Sequence, residues 1–392
     1  MRFGPSVAIF LLAVVGCTNH PDAPARPQPV APGDPAVTSE SSERGTVEIT
    51  ELARGLDHPW GMSFLPDRRI LVTERAGRLL LLSAEGGLIA QISGLPSIFV
   101  SGQAGLLDVA LAPDFERSGW VYLSFAKSNL RGNLAGTAVF RGRLVGNALQ
   151  DGEVIYEQQP KLSSGTHVGS RLVFDDAGHL FVTQGENNKR ATAQELDKLQ
   201  GKLVRLNADG SVPSDNPFVG REGVRPEIWS YGHRNMQGAA MNPWTHVLWT
   251  SEHGPKGGDE INIPEAGKNY GWPIITWGIN YDGKPIPEAV SNAAEGMQQP
   301  HHYWPVSPAV SGMAFYAAER IPAWQHSLFL GALAGSSLIR LQLDGDRITG
   351  EERLLSKRNE RIRDVRVGPD GLVYVLTDAA DGKLLRIDLK AQ

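Results

Sequence analysis

Four stretches of this sequence gather groups capable of chemistry. The first is Ser163-Ser164-Gly165-Thr166-His167-Val168-Gly169-Ser170-Arg171-Leu172, where His167 stands among small residues just before a β-rich run. Small neighbours leave an imidazole open to a ligand, and a neutral imidazole takes up a proton near neutral pH. A lone loop histidine also serves structural roles, so this run alone assigns none. The second is Trp229-Ser230-Tyr231-Gly232-His233-Arg234-Asn235-Met236-Gln237-Gly238. Its Arg234 can hold a developing oxyanion or a carboxylate, or it can pack on Trp229 or Tyr231. The third, Ser251-Glu252-His253-Gly254-Pro255-Lys256-Gly257-Gly258-Asp259-Glu260-Ile261-Asn262, spaces acidic groups with turn formers that free backbone carbonyls. Calcium is held by such oxygens, although the EF-hand spacing is absent. The fourth is Asn359-Glu360-Arg361-Ile362-Arg363-Asp364-Val365. Arg361 and Arg363 alternate on an incipient strand, so both point to one face, and a pair of guanidiniums suits an anion or a solvated charged surface. Gln103, in Ser101-Gly102-Gln103-Ala104-Gly105-Leu106-Leu107, occupies a loop of the same kind, able to bond a hydroxyl or cap a turn.

These groups lie far apart in the chain, so a scaffold must bring them together. One phrase recurs: an apolar pair at spacing two, a Pro/Asp/Gly turn, then a short β-rich run. Its copies begin at Met62, Val109, Leu172, Ala239, Met313 and Val365, and most are followed by a further alternating strand such as Lys202 to Leu206 or Lys383 to Leu389. Alternation marks strands with one buried face, and the turns mark hairpins. Repeats at irregular spacing of roughly 50–70 residues suit propeller blades with loop insertions. The expectation is an all-β, six-bladed β-propeller, with the early strand near Thr46 to Leu52 completing the last blade. A two-sheet sandwich is the alternative, but it needs no sixfold phrase. All the chemically loaded runs fall just before or after a phrase, where a propeller gathers its loops at one face.

The remaining features bound the function. The chain has 392 residues, Gly 44, Pro 26, a single cysteine and a formal net charge of −5. With pI about 6.1 and no basic block, nucleic acid is not an expected partner. No Gly-Xaa-Gly-Xaa-Xaa-Gly follows a strand, which disfavours a nicotinamide cofactor on a Rossmann fold. Val7 to Val15 is an unbroken apolar run ending in Val14-Val15-Gly16-Cys17, similar to a bacterial lipoprotein cleavage box. Residues 1–17 read as a signal peptide ending at an acylated Cys17, residues 18–45 as a disordered Pro/Ala-rich tether, and residues 46–392 as the propeller. An ordinary signal peptide with a chance cysteine is the alternative. Thr18, rather than Asp, after the cysteine implies, by resemblance to sorting rules, the periplasmic side of an outer membrane.

Taken together, the runs resemble the soluble pyrroloquinoline-quinone (PQQ)-dependent aldose sugar dehydrogenases. The resemblance extends from about Leu56 to Leu389 and rests on Gly102 to Asp108, His167 to Arg171, Gln184 to Asn188, Tyr231 to Asn235, Glu252 to Pro255, Gly258 to Asn262, Asn269 to Pro273 and Arg361 to Val365. It implies a six-bladed propeller that oxidises aldoses at the anomeric carbon to lactones. It makes His167 the base and places Arg234 by the reacting quinone oxygen, with Asn235 next to it. Arg361 and Arg363 would bind cofactor carboxylates, and Gln103 would make a polar contact. Carbonyls of Gly254 and Pro255 would hold a calcium ion, while Glu260 and Tyr270 would hold a second, structural one. There are departures: Ala334 stands where relatives often carry a lysine, Thr166 where glucose-specific ones carry a carboxamide or acid, and Met236 where proline is usual. No haem-attachment motif is present, so electrons would leave to an external acceptor. A non-enzymatic binding propeller and a calcium-dependent lactonase are the competing readings. The first has no use for His167 with both arginines, and the second has no use for the arginine pair.

Overall fold

The computed structural model describes Met1, residues 31–33 and residues 37–390. The expected signal peptide, Cys17 and the first part of the tether lie outside the described residues. Six antiparallel sheets form a six-bladed β-propeller. The innermost strands are Pro59–Phe64, Leu106–Leu111, Gly169–Phe174, Met236–Met241, Val310–Tyr316 and Ile362–Val367. Each begins one copy of the repeated phrase, and its turn leads outward to the second strand of the same blade.

The ring closes through the N-terminal strand. Gly45–Leu56 pairs with Gly382–Lys390, with Ile49 opposite Ile387, and so supplies the outer strand of the last blade. Part of the span expected as a tether is strand. Val37–Ser42 forms a strand along Gly45–Leu56, with Val37 opposite Thr50, and Ala31–Pro32 pairs on the same strand's other end. The alternating Val-Thr-Ser-Glu pattern extends a sheet edge that would otherwise stand open, which a search for core-building residues overlooks.

Apolar side chains fill the wedges between blades. Trp324, Tyr316 and Phe329 from one blade meet Val365, Val375 and Leu385 from the next, and burying each aliphatic or aromatic side chain contributes about 1.5–3 kcal/mol.

A shared irregularity shapes the axis. In all six inner strands the pairing with the second strand slips near the N-terminal end: between Pro59 and Gly61, Leu106 and Val109, Gly169 and Leu172, Met236 and Gly238, Val310 and Met313, and Ile362 and Asp364. Such bulges bend a strand and re-aim its side chains. Trp60, Asp108, Arg171, Gln237 and Arg363 all lie in these slips. Asp108, Arg171, Asp364 and Arg366 then form a belt. Arg171 Nη1 lies 3.1 Å from Asp108 and 2.9 Å from Asp364, while Arg366 reaches the same carboxylates at 2.9 and 3.2 Å. Arg171 is 1% exposed and also donates to the carbonyls of Gln237 and Arg363. Charges this deep persist only when paired and hydrogen-bonded.

Candidate active site

Above the belt, at the N-terminal ends of the inner strands, lies a cavity of about 160 Å³. Gln103, Asn235, Arg361 and Arg363 line it, with Trp60, Gln237, His253 and Asp378. Four of the sequence-predicted residues therefore share one space. A larger hollow of about 980 Å³ opens at the other end of the axis. Its walls are mainly apolar, and they hold no histidine. The smaller cavity is the one that gathers the sequence-predicted polar residues.

His167 does not line that cavity itself but stands next to it, since Gln103, its hydrogen-bond partner, and Val168, which follows it, both do. Its φ is +49°, and Gly169 and Ser170 follow at +63° and +100°. A non-glycine residue in this region is strained and is held by its surroundings. Here His167 N donates to Gln103 Oε1 at 2.8 Å, and Asn187 donates to the His167 carbonyl from its backbone and side-chain nitrogens. A Cβ on Gly185 would fall 1.8 Å from the His167 oxygen, so only glycine allows this approach. His167 Nδ1 lies 3.0 Å from Glu186 Oε2. Glu186 is buried, and its second oxygen has no partner among the described residues. With Nδ1–H donating a hydrogen bond to the carboxylate, Nε2 keeps a lone pair.

Glu186 also ties His167 to the second run, since its amide donates to the Arg234 carbonyl at 2.9 Å. Arg234 packs over Trp272, with 5.3 Å to the ring centroid, and not on Trp229 or Tyr231. Trp229 is covered by Arg205 instead. Arg234 Nη1 donates to the His253 carbonyl, and its buried Nε is unpartnered. Asn235 Oδ1 accepts from Gly169 N and Gln237 Nε2, which turns its amide NH₂ toward the cavity.

The arginine pair brackets the start of the strand Ile362–Val367 and is held by a shared carboxylate. Asp378 Oδ2 accepts from Arg361 Nη2 at 3.1 Å and from Arg363 Nη2 at 2.9 Å. Burial pushes Asp378 up, but the Arg363 and Arg361 charges outweigh it and hold its carboxyl below the ordinary value. Arg363 also donates to Gln237 Oε1 at 3.0 Å, and its buried Nε is unpartnered. Burial, with Arg234 and Arg363 nearby, pulls the His253 imidazole down to about 3, so it stays neutral. Its buried Nε2 is without a partner among the described residues.

The predicted metal ligands fall beside these groups. The carbonyls of Gly254 and Pro255 accept no backbone hydrogen bond among the described residues. The tight turn that presents them is anchored by Asp259, which accepts from Gly254 N, Ser307 Oγ and Val310 N. Behind them, a space of about 10 Å³ is bounded by Glu252, Glu260 and Tyr270, enough for one ion or water. Burial and the neighbouring Glu252 raise Glu260 well above the ordinary carboxylate range. Asn262 Nδ2 bridges the two carboxylates at 2.8 and 3.2 Å, while its buried Oδ1 is unpartnered. Paired carboxylates with an orphan amide oxygen suit a hard cation. Tyr270 cannot use its phenol there, because that hydroxyl donates to the Ile263 carbonyl and accepts from Glu265 N. Its backbone oxygen is what remains. Among the described residues no cluster of three or more His, Cys, Asp or Glu side chains is placed to hold a metal, so any ion here relies on carbonyls and the Glu252–Glu260 pair.

Sequence reasoning about roles missed Glu186, Asp378, Gln237 and the belt. Asp108, Arg171 and Asp364 did carry a signal: each is a charged residue immediately before an apolar phrase. The unpartnered guanidinium and imidazole nitrogens in and beside the cavity fit an anionic, hydrogen-bonding cofactor, and the oxygen set fits calcium.

The family description Glucose / Sorbosone dehydrogenase matches residues 56–386. Aldose sugar dehydrogenase YliI of Escherichia coli is 54% identical over 345 residues, covering 87% of this chain and 93% of the relative. The apo crystal structure of soluble aldose sugar dehydrogenase from Escherichia coli superposes with TM-score 0.86 at 54% identity, over 88% of this chain and all of that one. The PQQ-bound form of aldose sugar dehydrogenase from Streptomyces coelicolor gives TM-score 0.72 at 25% identity, over 89% and 100% of the two chains. A match this extensive, on a six-bladed fold with a histidine and an arginine pair at one mouth, means that the chain belongs to the glucose/sorbosone dehydrogenase family and is a sugar-oxidising oxidoreductase.

Proposed function

We propose that this protein oxidises aldoses at the anomeric carbon to lactones with PQQ and calcium, and passes the electrons to an external acceptor. The observation that carries the reading is that His167, paired with Glu186, is bonded to Gln103 and precedes Val168, two residues lining the cavity that contains Arg361 and Arg363. A proton acceptor thus adjoins the space that an anion holder lines. When bound, PQQ supplies the hydride acceptor and calcium supplies Lewis acidity. The fit of the cavity to PQQ is supported by the Streptomyces coelicolor relative, whose structure contains it.

The protein's own residues divide the remaining work. His167 Nε2 takes the proton of the anomeric hydroxyl, and Glu186 keeps the imidazole in the tautomer that permits this and stabilises the imidazolium that forms. Gln103 has its carbonyl on His167 N, so its amide is left to donate to a sugar hydroxyl or to the cofactor. Arg234 and the Asn235 amide direct positive charge and N–H donors at oxygen that gains charge. Arg361 and Arg363 would hold cofactor carboxylates through charge-assisted hydrogen bonds. The carbonyls of Gly254 and Pro255 would hold the calcium at the cofactor, and Glu260, with Glu252 and the Tyr270 carbonyl, the structural ion.

Export is also proposed. The apolar run and Cys17 point to a lipoprotein held on the periplasmic side of an outer membrane by its acyl chains. No helix among the described residues is long and apolar enough to cross a membrane. Metabolic labelling with a fatty acid, lost in Cys17→Ala, tests the anchor.

The activity test uses the full purified chain stripped of metal and cofactor. PQQ and calcium are added separately and together with a panel of aldoses and an artificial electron acceptor dye. Dye reduction that needs both additions is expected. No reduction, with no heat of PQQ binding, would overturn the assignment and leave a binding propeller.

A further inference from the structure

The cavity contains a cation that the paired arginines do not account for. Arg75 lies in the turn between the second and third strands of the first blade and lines the same space as Arg361 and Arg363. Its backbone is fixed: Arg75 N donates to the His58 carbonyl, and Leu106 N donates to the Arg75 carbonyl at 3.0 Å. Gly105 packs so closely that a Cβ there would fall 2.0 Å from the Arg75 oxygen and 2.7 Å from its Cγ. The stem is thus held against the loop that carries Gln103.

The head of the side chain is different. Among the described residues the Arg75 guanidinium has neither an ion-pair nor a hydrogen-bond partner. The adjacent carboxylate, Glu74, is buried and pairs with Arg78 on the other side of the turn. Asp378 is the one acidic residue lining the cavity, and both Arg361 and Arg363 already claim it. Three guanidiniums therefore face the space with one carboxylate between them. A pinned stem with an unclaimed fork is what an anion site requires before its ligand arrives, because little freedom is lost on binding.

We propose that Arg75 is a third anion-holding residue of this cavity, binding a carboxylate of the cofactor from the blade adjacent to the one that carries Arg361 and Arg363. The inference rests on the PQQ reading. PQQ carries three carboxyl groups, and a pair of arginines sharing Asp378 leaves charge on it unmatched.

The test measures PQQ affinity directly, by calorimetry and by tryptophan quenching, in the calcium-loaded full chain across a range of salt concentrations. Arg75→Gln is expected to weaken PQQ binding about 10- to 100-fold, the usual worth of a charge-assisted contact. It is also expected to flatten the salt dependence, while the thermal unfolding midpoint without cofactor stays unchanged. Arg75→Lys, which keeps the charge and loses the fork, is expected to fall between the two. Equal affinity in wild type and Arg75→Gln would overturn the proposal. So would a lowered unfolding midpoint in Arg75→Gln without cofactor, since that would make Arg75 part of the framework. Wild-type protein that binds no PQQ would instead refute the cofactor assignment, so the two failures are separable.

Discussion

Replacing Glu186 with glutamine isolates what the carboxylate does for His167. The change keeps the shape of a fully buried side chain and removes its charge. In the native protein Oε2 lies 3.0 Å from His167 Nδ1. It also accepts from the backbone of Asn188. As His167 becomes cationic, it forms an ion pair with Glu186. Unit charges about 4 Å apart in an effective dielectric near 20 attract by about 4 kcal/mol. The glutamine oxygen retains part of this as a dipole, so about 2–3 kcal/mol is lost from the step that charges the ring. That corresponds to roughly 30- to 150-fold in kcat. The charge–charge attraction is absent while the imidazole is neutral, when only the Nδ1–H hydrogen bond joins the two, so KM for the aldose and the affinity for PQQ should hardly move. The assay is steady-state dye reduction by reconstituted Glu186→Gln across sugar concentrations, with PQQ affinity measured separately. A kcat within about threefold of wild type would refute the positioning role. A parallel collapse of PQQ binding would show that Glu186 shapes the cavity and not the base.

Three further outcomes follow from the same geometry. Gly185→Ala places a methyl 1.8 Å from the His167 oxygen; it should cost about 1–3 kcal/mol of stability in urea unfolding and lower kcat by more than tenfold, whereas an unchanged kcat would contradict the contact. Lys202 donates from the interior to the carbonyls of Thr192, Ala193 and Gln200, so Lys202→Met should destabilise by at least about 3 kcal/mol; burial pulls its ammonium from 10.5 down to about 7, which means the unfolded chain binds more protons in that window, stability rises with pH across it, and the rise should vanish in the variant. Asp378 is held below its ordinary value of 3.8 by Arg363 and Arg361 against the effect of burial; the stability it provides is present above that pH and lost as pH falls through the lower folded value, so Asp378→Asn should be less stable at neutral pH and show a flatter acid limb in the same unfolding assay.

The blades are legible because their signal is repeated and local. An apolar pair, a turn and a β-rich run must occur in each blade, since every blade needs an inner strand, a hairpin and a face to pack. The closing strand is legible for a similar reason: the run from Thr46 to Leu52 alternates, and an N-terminal strand can complete the last blade. Val37–Ser42 is harder to read, because it adds to a sheet edge and buries almost nothing. Its pairing satisfies backbone groups, and that leaves little trace in side-chain type. At the site, His167, Arg234, Arg361 and Arg363 stand out by residue type in glycine-rich or alternating runs. Asp378 and Gln237 do not. Gln237 acts on Arg363 from another blade, a role that appears only when the ring closes, whereas Asp378 meets Arg361 and Arg363 across one hairpin of the last blade, a pairing that residue type alone does not announce.

The six bulges explain why the site and the belt belong to one design. In a regular antiparallel strand successive side chains alternate between faces, so an inner strand would not send adjacent charged residues toward the axis. A slip near the N-terminal end relaxes that rule. On the last blade it leaves Arg363 facing the cavity while Asp364 turns down to Arg171 and Arg366. On the third blade it sends Arg171 to the axis directly after Ser170, whose φ of +100° belongs to the loop that sets His167. Trp60, in the slip of the first blade, then separates the two levels, with the Arg171 guanidinium 4.2 Å and the Arg363 guanidinium 5.9 Å from its ring. Arg171 also donates to the Arg363 carbonyl, which fixes the backbone from which the cavity arginine extends. Removing charge from the belt would therefore disturb Arg363 through its own main chain. The paired belt is the rigid floor on which an anion site with unclaimed N–H groups can be held open before a ligand arrives.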